Sequence, residues 1–389
     1  MKNKIGPPVE GDDFYGRRDE IEFVWQQILE GNNLLFPAPR RVGKTSFAKK
    51  LLEKAKSNEW DTLEINLEGI SSEKQFVKSF LGEIQKLSIW TKMKSSVGKT
   101  LRKLIPNLSS TAELSGVKVE INWLGERELI FDELKVLLDH SEDTLIMVDE
   151  LGVLLNNYTI QSEGDIADAE YLLNWFRSLR QVSNTKIRWI FCSSVGIKNF
   201  TNKYNISHTV NDLTQYELKI FERKEAKEII LMLTKTKKIE IGEGIIDHML
   251  DKLGWYLPYF VQLFFSQINR LNKIEGMPIN KEIIEIAYVK LIEGQSLDTW
   301  DERLVHYGEY EKSARIILCH LCQNKKGLKR KRLFDLIFQL DADEEKANRD
   351  LAQIIRMLTN DGYLFRNESS KYAFRSPFLR DYWNIKFIK

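Results

Sequence analysis

The stretch that most constrains this chain is Leu34-Leu35-Phe36 followed by Pro37-Ala38-Pro39-Arg40-Arg41-Val42-Gly43-Lys44-Thr45. A short apolar run between breakers reads as a buried strand, and Ser46 to Lys56 has the spacing of a helix. Residues 38–45 fit G-x-x-x-x-G-K-(S or T) between strand and helix, a phosphate-binding loop, with Ala38 at the first glycine position. Loop N–H groups would hold phosphate oxygens, and the helix N-terminus adds potential that favours anions. Lys44 would reach the β- and γ-phosphates and Thr45 would set its hydroxyl on Mg²⁺. Gly43 permits close backbone approach, and an alanine at position 38 suffices if its φ stays negative. The bland alternative is a chance turn. A second Gly-Lys-Thr, at Gly98-Lys99-Thr100, shows how cheap the bare string is: no apolar strand precedes it, Met93 holds its first glycine position, and it reads as a surface turn.

A second motif answers the first. Leu145-Ile146-Met147-Val148 is a strongly apolar run that ends on Asp149-Glu150. Open α/β sheets bind ligands at the carboxyl ends of their strands. Asp149 is placed to hold Mg²⁺ and Glu150 to act as general base on water. The alternative is a solvated acidic pair. A base at that position argues for hydrolysis rather than binding alone.

The pattern along the chain extends this frame. A helix is expected from about Asp19 to Glu30 with Gly31 as its cap. Strands follow at Thr62 to Leu67, 144–149 and Ile187 to Ser193, with helices at 73–87, 126–139 and 172–181. A small β-hairpin insertion is expected at about 95–125. Strands alternating with helices imply a parallel sheet covered on both faces. After about Leu218 the strand signal stops, and 222–300 reads as helical. Residues 310–361 read as three helices, followed by two short β-like runs around Asn367-Glu368-Ser369-Ser370. The expected architecture is an α/β P-loop core at 1–218, an all-helical lid at 219–300 and a winged-helix domain at 301–389.

Taken together, these residues resemble a known family. Phe14-Tyr15-Gly16-Arg17-Arg18-Asp19-Glu20, Pro39-Arg40-Arg41-Val42-Gly43-Lys44-Thr45-Ser46 and the Asp149-Glu150 strand are similar to the archaeal-type ATPases, which belong with the AAA+ and STAND P-loop NTPases. So are Ile190 to Gly196, Gly254-Trp255-Tyr256-Leu257-Pro258-Tyr259 and Phe374 to Trp383. The resemblance implies ATP and Mg²⁺ bound between the sheet domain and a helical lid. It implies that Phe14, Gly16 and Arg17 lie near the adenine and that Pro39, Arg40, Arg41, Val42, Gly43, Lys44, Thr45 and Ser46 form the phosphate loop. Pro258 is the implied lid proline, although Gly254 and Pro258 stand further apart than the usual Gly-x-Pro. Ser193 or Ser194 resembles the sensor at the end of the fourth strand. Ser194 therefore joins Glu150, Lys44 and Arg180 in the expected catalytic set. Arg177, Arg180 and Arg188 are the candidates for a transition-state arginine, with a solvated basic face as the alternative. Arg177 and Arg180 lie three apart and share a helix face.

The formal net charge of +2 names no partner by itself. A winged helix can set its third helix, here about Asp343 to Asn360, in the major groove. Its Asp343-Glu344-Glu345 front is acidic, whereas Lys325 to Arg332 is a basic run that could grip a DNA backbone or form a solvated turn. Cys319 and Cys322 flank His320, but no second ligand pair exists for zinc; small buried cysteines are the expectation. His208 and His248 stand alone and read as structural. Three cysteines in so long a chain do not suggest a disulfide framework. No stretch approaches the ~18 uninterrupted apolar residues of a membrane span. The expected setting is the cytoplasm. The expected function is a Mg²⁺-dependent ATPase switch acting on a partner protein, another copy of itself or duplex DNA. The alternatives are a nucleotide-gated DNA-binding protein and a scaffold with little turnover.

Overall fold

The apolar runs near the front of the chain become the strands of one parallel sheet. The computed structural model describes residues 1–37, 39–87, 123–139, 142–160, 166–193, 196–340 and 342–388. These form two compact units, each assembled from separate stretches: Arg17–Pro37 with Phe47–Glu217, and Met1–Gly16 with Ala38–Ser46 and Leu218–Lys389.

The first unit holds the sheet. Its elements are α1 (Arg18–Leu29), β1 (Leu34–Pro37), α2 (Lys44–Ser57, whose first turn groups with the other unit), β2 (Asp61–Asn66), α3 (Glu73–Ile84), α4 (Trp123–Leu138), β3 (Thr144–Asp149), α5 (Leu151–Ile160), α6 (Ile166–Arg180), β4 (Ile187–Ser193), α7 (Ile197–Lys203) and β5 (Thr214–Gln215). The strand order is β2-β3-β4-β1-β5, and the pairs are parallel. Every residue of β3 is buried, as a strand covered on both faces requires, and this is why its sequence is continuously apolar rather than alternating.

Aromatic rings fill much of this core. Phe176 meets Trp189 at 5.5 Å and Phe191 at 5.3 Å between ring centroids, and Phe80 stacks on Phe76 at 5.6 Å. The indole of Trp175 donates to the Phe131 carbonyl at 3.0 Å, so its N–H is satisfied where the ring is buried. Trp175 and Trp189 are thus core residues.

Several elements of this unit depart from the sequence reading. α5 follows Glu150 directly, β5 adds a fifth strand, and α6 starts at Ile166 rather than Leu172. β5 has only two residues, too few to show a period, and the first turns of α6, with small Ala167 and Ala169 beside Asp168 and Glu170, carry little apolar signal. Residues 123–125, expected in a hairpin, are helical. The rest of the expected insertion lies outside the described residues, as does Gly98-Lys99-Thr100.

The second unit contains α8 (Arg223–Lys237), α9 (Glu243–Leu253), α10 (Pro258–Lys273), α11 (Lys281–Glu293), α12 (Asp298–Glu302), α13 (Glu311–Cys322), β6 (Leu328–Lys329), α14 (Arg330–Phe338), α15 (Glu344–Asn360), β7 (Leu364–Arg366), β8 (Lys371–Phe374) and α16 (Pro377–Phe387). Capping chemistry sets the boundaries. α8 opens with a reciprocal Glu222/Glu225 capping box, and α10 has Pro258 in its first turn. The Asn280 side chain accepts from the Ile283 N–H at the start of α11. The acidic front of α15 has the same local cause: the Asp343 side chain accepts from the Lys346 N–H at 3.0 Å, and the glutamates behind it suit the helix dipole. β6, β8 and β7 form a small antiparallel sheet in that order. The basic run is not a turn throughout, since Arg330, Lys331 and Arg332 make the first turn of α14.

A buried ion pair anchors this unit. Arg303 donates to Asp361 through Nε at 3.0 Å and Nη2 at 2.7 Å, and the Tyr307 hydroxyl donates to the same carboxylate at 2.8 Å. Burial opposes the charge on Arg303, but Asp361 more than offsets it and raises the guanidinium's pKa. Cys319 is half-buried and Cys322 buried; burial pushes both thiols up, Cys322 to about 11. Among the described residues no three His, Cys, Asp or Glu side chains cluster to hold a metal, and no helix is long and apolar enough to cross a membrane. Removing one partner of a buried pair leaves the other charge uncompensated. Arg303→Leu is therefore expected to destabilise this unit by about 3–5 kcal/mol, read as a lower urea midpoint, with Arg303→Leu/Asp361→Leu recovering part of the loss.

Candidate functional site

In the sheet order, β1 lies between β4 and β5, while the connection that leaves β1 crosses to β2 at the far edge. The crevice outside the carboxyl ends of β1 and β4 is therefore the topological switch point, where open α/β sheets take ligands. Register fixes what stands at that edge. Pro37 of β1 is opposite Ser193 of β4, and Asp149 of β3 is opposite Asn66 of β2. Arg188 lies at the other end of β4, beside Leu145 near the start of β3, so it stands at the edge opposite Ser193. Its guanidinium donates to the Thr185 and Ile187 carbonyls at 2.7 and 2.8 Å.

Asp149 and Ser193 are buried polar residues, 7% and 6% exposed. Buried polar groups must be hydrogen-bonded, and backbone N–H groups meet that need. Asp149 Oδ1 accepts from the Glu150 N–H at 3.0 Å, and Ser193 Oγ accepts from the Gly152 N–H at 3.1 Å. The serine thus ties the end of β4 to the first turn of α5. Glu150 takes a left-handed φ of 59°, and its carbonyl accepts from the Val153 and Leu154 N–H groups. A non-glycine residue in this region is strained, and such strain concentrates at functional sites. Ser194 lies outside the described residues.

The loop after β1 belongs to the second unit. Within it Arg41 has φ 66° and Gly43 φ 97°. Left-handed residues in such a turn make the N–H concavity that binds anions. Nothing among the described residues lies within 4 Å of where a Cβ on Gly43 would be, so its glycine is required by the positive φ rather than by crowding. Val42 is fully buried and Lys44 is 7% exposed. The Lys44 ammonium donates to the Pro39 carbonyl at 2.9 Å and so folds back over its own loop. Thr45 follows in the first turn of α2. Ser46 Oγ accepts from the Val9 N–H at 3.0 Å, and Gln262 Oε1 accepts from the Lys4 N–H at 2.9 Å. The N-terminal arm is thereby fixed to the loop and to α10.

Other expected residues have identifiable surroundings. Phe14 is half-buried. Gly16 has φ 69° beside Phe221, and the Tyr15 hydroxyl donates to Glu228 of α8. Arg17, on the sheet unit, caps α1 with φ 58° and pairs with Glu20 at 3.1 Å. Gly254 caps α9 in the left-handed conformation and sits against Pro377, where a Cβ would come within 2.7 Å of the ring; Pro258 instead starts α10. Arg177 and Arg180 share a face, as their spacing requires, but it is not a solvated basic face. Arg177 donates to the His208 carbonyl at 2.6 Å. Arg180 makes a bidentate pair with Asp212, both contacts at 2.8 Å, and donates to the Thr209 carbonyl. Burial works against the Asp212 charge, yet the guanidinium holds that carboxyl below its ordinary range. Arg180 could serve a neighbouring subunit only by releasing Asp212.

The sequence reading missed three contacts: Ser193 on Gly152, Val9 on Ser46, and the ring of Tyr259, which lies 4.4 Å from the Arg41 guanidinium. Only the Arg41–Tyr259 contact joins two stretches that the sequence singles out; the other two each pair a singled-out serine with a position outside any motif.

No protein-family model matches the chain, and no curated protein is similar to it in sequence. Solved structures are similar in fold. A Walker-type ATPase of Pyrococcus abyssi superposes with a TM-score of 0.65 at 14% identity, covering 99% of this chain and 100% of that one. The ORC2 protein of Aeropyrum pernix, solved as ADPNP and ADP complexes, superposes with a TM-score of 0.56 at 14% identity, covering 99% of this chain and 96% of that one. The chain has the α/β fold of these P-loop proteins.

The strain at Glu150 is testable without any ligand. The left-handed region costs a side chain roughly 1–2 kcal/mol, and glycine's extra chain entropy costs about 0.5–1 kcal/mol. Glu150→Gly should therefore stay within about 1 kcal/mol of wild type, whereas Glu150→Val, β-branched at positive φ, should be clearly less stable in a thermal melt.

Proposed function

We propose that this chain is a Mg²⁺-dependent ATPase that uses nucleotide binding and hydrolysis to switch conformation and act on a partner macromolecule. The observation that carries the reading is the carboxyl edge of the sheet. Asp149 ends β3 with Glu150 next, Ser193 ends the adjacent β4, and β1, on the other side of β4, is followed after five residues by Gly43-Lys44-Thr45.

In this reading the loop N–H groups around Arg41 and Gly43 hold phosphate oxygens, and Lys44 exchanges the Pro39 carbonyl for the β- and γ-phosphates. The Thr45 hydroxyl and the Asp149 carboxylate would hold Mg²⁺. Two protein oxygens completed by phosphate oxygens and water are a donor set this ion takes, and it would neutralise charge on the phosphate oxygens. Glu150 would accept a proton from the attacking water. Ser194 would sense the γ-phosphate, and Arg180, freed from Asp212, would stabilise the transition state of a neighbouring copy. Phe14, Gly16, Arg17 and Pro258 would line the base. The adenine nucleotides of the similar ORC2 protein make ATP the ligand to test first. The proposed division is a core at 1–218, a lid at 219–300 and a winged-helix module at 301–389. The helix order α13, α14, α15, followed by the β7–β8 hairpin, supports the last of these.

A specific observation favours duplex DNA as the partner. Arg330, Lys331 and Arg332 occupy the first turn of α14, the end of a helix where the dipole disfavours cations. Cations placed there against that preference suit a phosphate backbone.

Lys44→Ala and Glu150→Gln should each lose ATP turnover by at least about 100-fold, with Glu150→Gln still binding MgATP. Wild-type protein that binds no ATP in an equilibrium titration would end this reading. For DNA, reversing the charge of Lys329, Arg330, Lys331 and Arg332 should weaken duplex binding and flatten its salt dependence. Unchanged filter binding would remove the basic run from the interface.

A further inference from the structure

Arg41 is the one arginine of the phosphate loop in the left-handed region, at φ 66°. Arginine gains nothing there by itself, so something outside the loop must hold it. Its guanidinium carbon lies 4.4 Å from the ring centroid of Tyr259, in the first turn of α10. That ring is itself anchored, because the Tyr259 hydroxyl donates to the Ser296 carbonyl at 3.1 Å. The loop is braced again at its start. Gly362, at φ 85°, lies so close to Pro39 and Trp255 that a Cβ would stand 3.0 Å from the Pro39 Cβ and 2.7 Å from the indole. All of these residues belong to one compact unit.

From this geometry we propose that Tyr259 is a positioning residue for the phosphate loop: its ring holds Arg41 left-handed, so that the N–H groups of residues 41–43 face a nucleotide phosphate before it arrives. The inference rests on the ATP reading above. Tyr259 touches no phosphate in this account. It acts through Arg41 by a cation–π contact, an interaction strong enough to offset much of the backbone strain.

The distinguishing property is coupling. Glycine takes a positive φ without support, so Arg41→Gly removes the need for the ring. MgATP affinity is measured by equilibrium titration on the full chain for wild type, Tyr259→Ala, Tyr259→Phe, Arg41→Gly and Arg41→Gly/Tyr259→Ala. Tyr259→Ala should weaken binding roughly three- to tenfold in the wild-type background and by much less in the Arg41→Gly background. Tyr259→Phe, which keeps the ring, should stay near wild type. If Tyr259→Ala melts out of the folded state, Tyr259→Leu takes its place in the same cycle. Equal losses in both backgrounds, or no loss in the wild-type background, overturn the proposal while leaving ATP binding intact. Failure of wild type itself to bind MgATP, with Lys44→Ala indistinguishable from it, brings down the nucleotide reading and this inference with it.

Discussion

A parallel sheet buried on both faces uses up its backbone hydrogen bonds internally and tolerates polar side chains only at its strand ends. That constraint organises the sheet unit. β3 is buried throughout, and its first strongly polar residue comes where the strand stops, at Asp149. β4 is buried from Trp189 onward and ends on Ser193, its one charged residue, Arg188, lying near the opposite end. The two chemistry-bearing side chains therefore stand at one edge because the interior excludes them. Each is kept there by a backbone N–H, Asp149 by that of Glu150 and Ser193 by that of Gly152. Both donors lie at the entry to α5, so this turn orders the edge.

Strain marks the segments that follow β1 and β3. Arg41 follows β1 and Glu150 follows β3, both with positive φ and neither a glycine. A chain selected only for stability would place glycine or asparagine at such positions. A side chain kept there at a cost of about 1–2 kcal/mol points to what the side chain does. For Glu150 the carboxylate is at issue, since its backbone duties as the residue before α5 could be met by glycine. For Arg41 the cation meets the aromatic face of Tyr259.

Much of this was legible in the sequence, for reasons that differ by element. β3 and β4 could be read because double-sided burial leaves long apolar runs, and the strand–loop–helix order at 34–57 because Pro37 and Pro39 break the apolar run before the helical spacing resumes. The helices and hairpin near the C-terminus were visible through apolar periodicity and the Asn367 to Ser370 turn. β5 and β6 were not, since two-residue strands carry no period and exist only through their partners. The basic run looked like a turn because three consecutive cations are a poor opening for a helix; packing of Leu333, Leu336 and Ile337 wins over that preference. The pairing of Arg180 with Asp212 could not be read at all, because thirty-two residues separate them and neither belongs to a motif.

The least legible feature is which part of the chain shapes the loop after β1. Residues 38–46 are covalently framed by β1 and α2, yet they group with residues 218–389. Pro39 meets Gly362, Arg41 meets Tyr259, and Ser46 holds the arm that also reaches Gln262. A loop whose dihedrals are set by contacts more than two hundred residues away cannot change shape without disturbing those contacts. The dependence is reciprocal, as any coupling free energy between two sites must be. On the proposed reading, a nucleotide in the loop would bias the packing of α10 and of the turn after α15, and a partner bound to those elements would bias the loop.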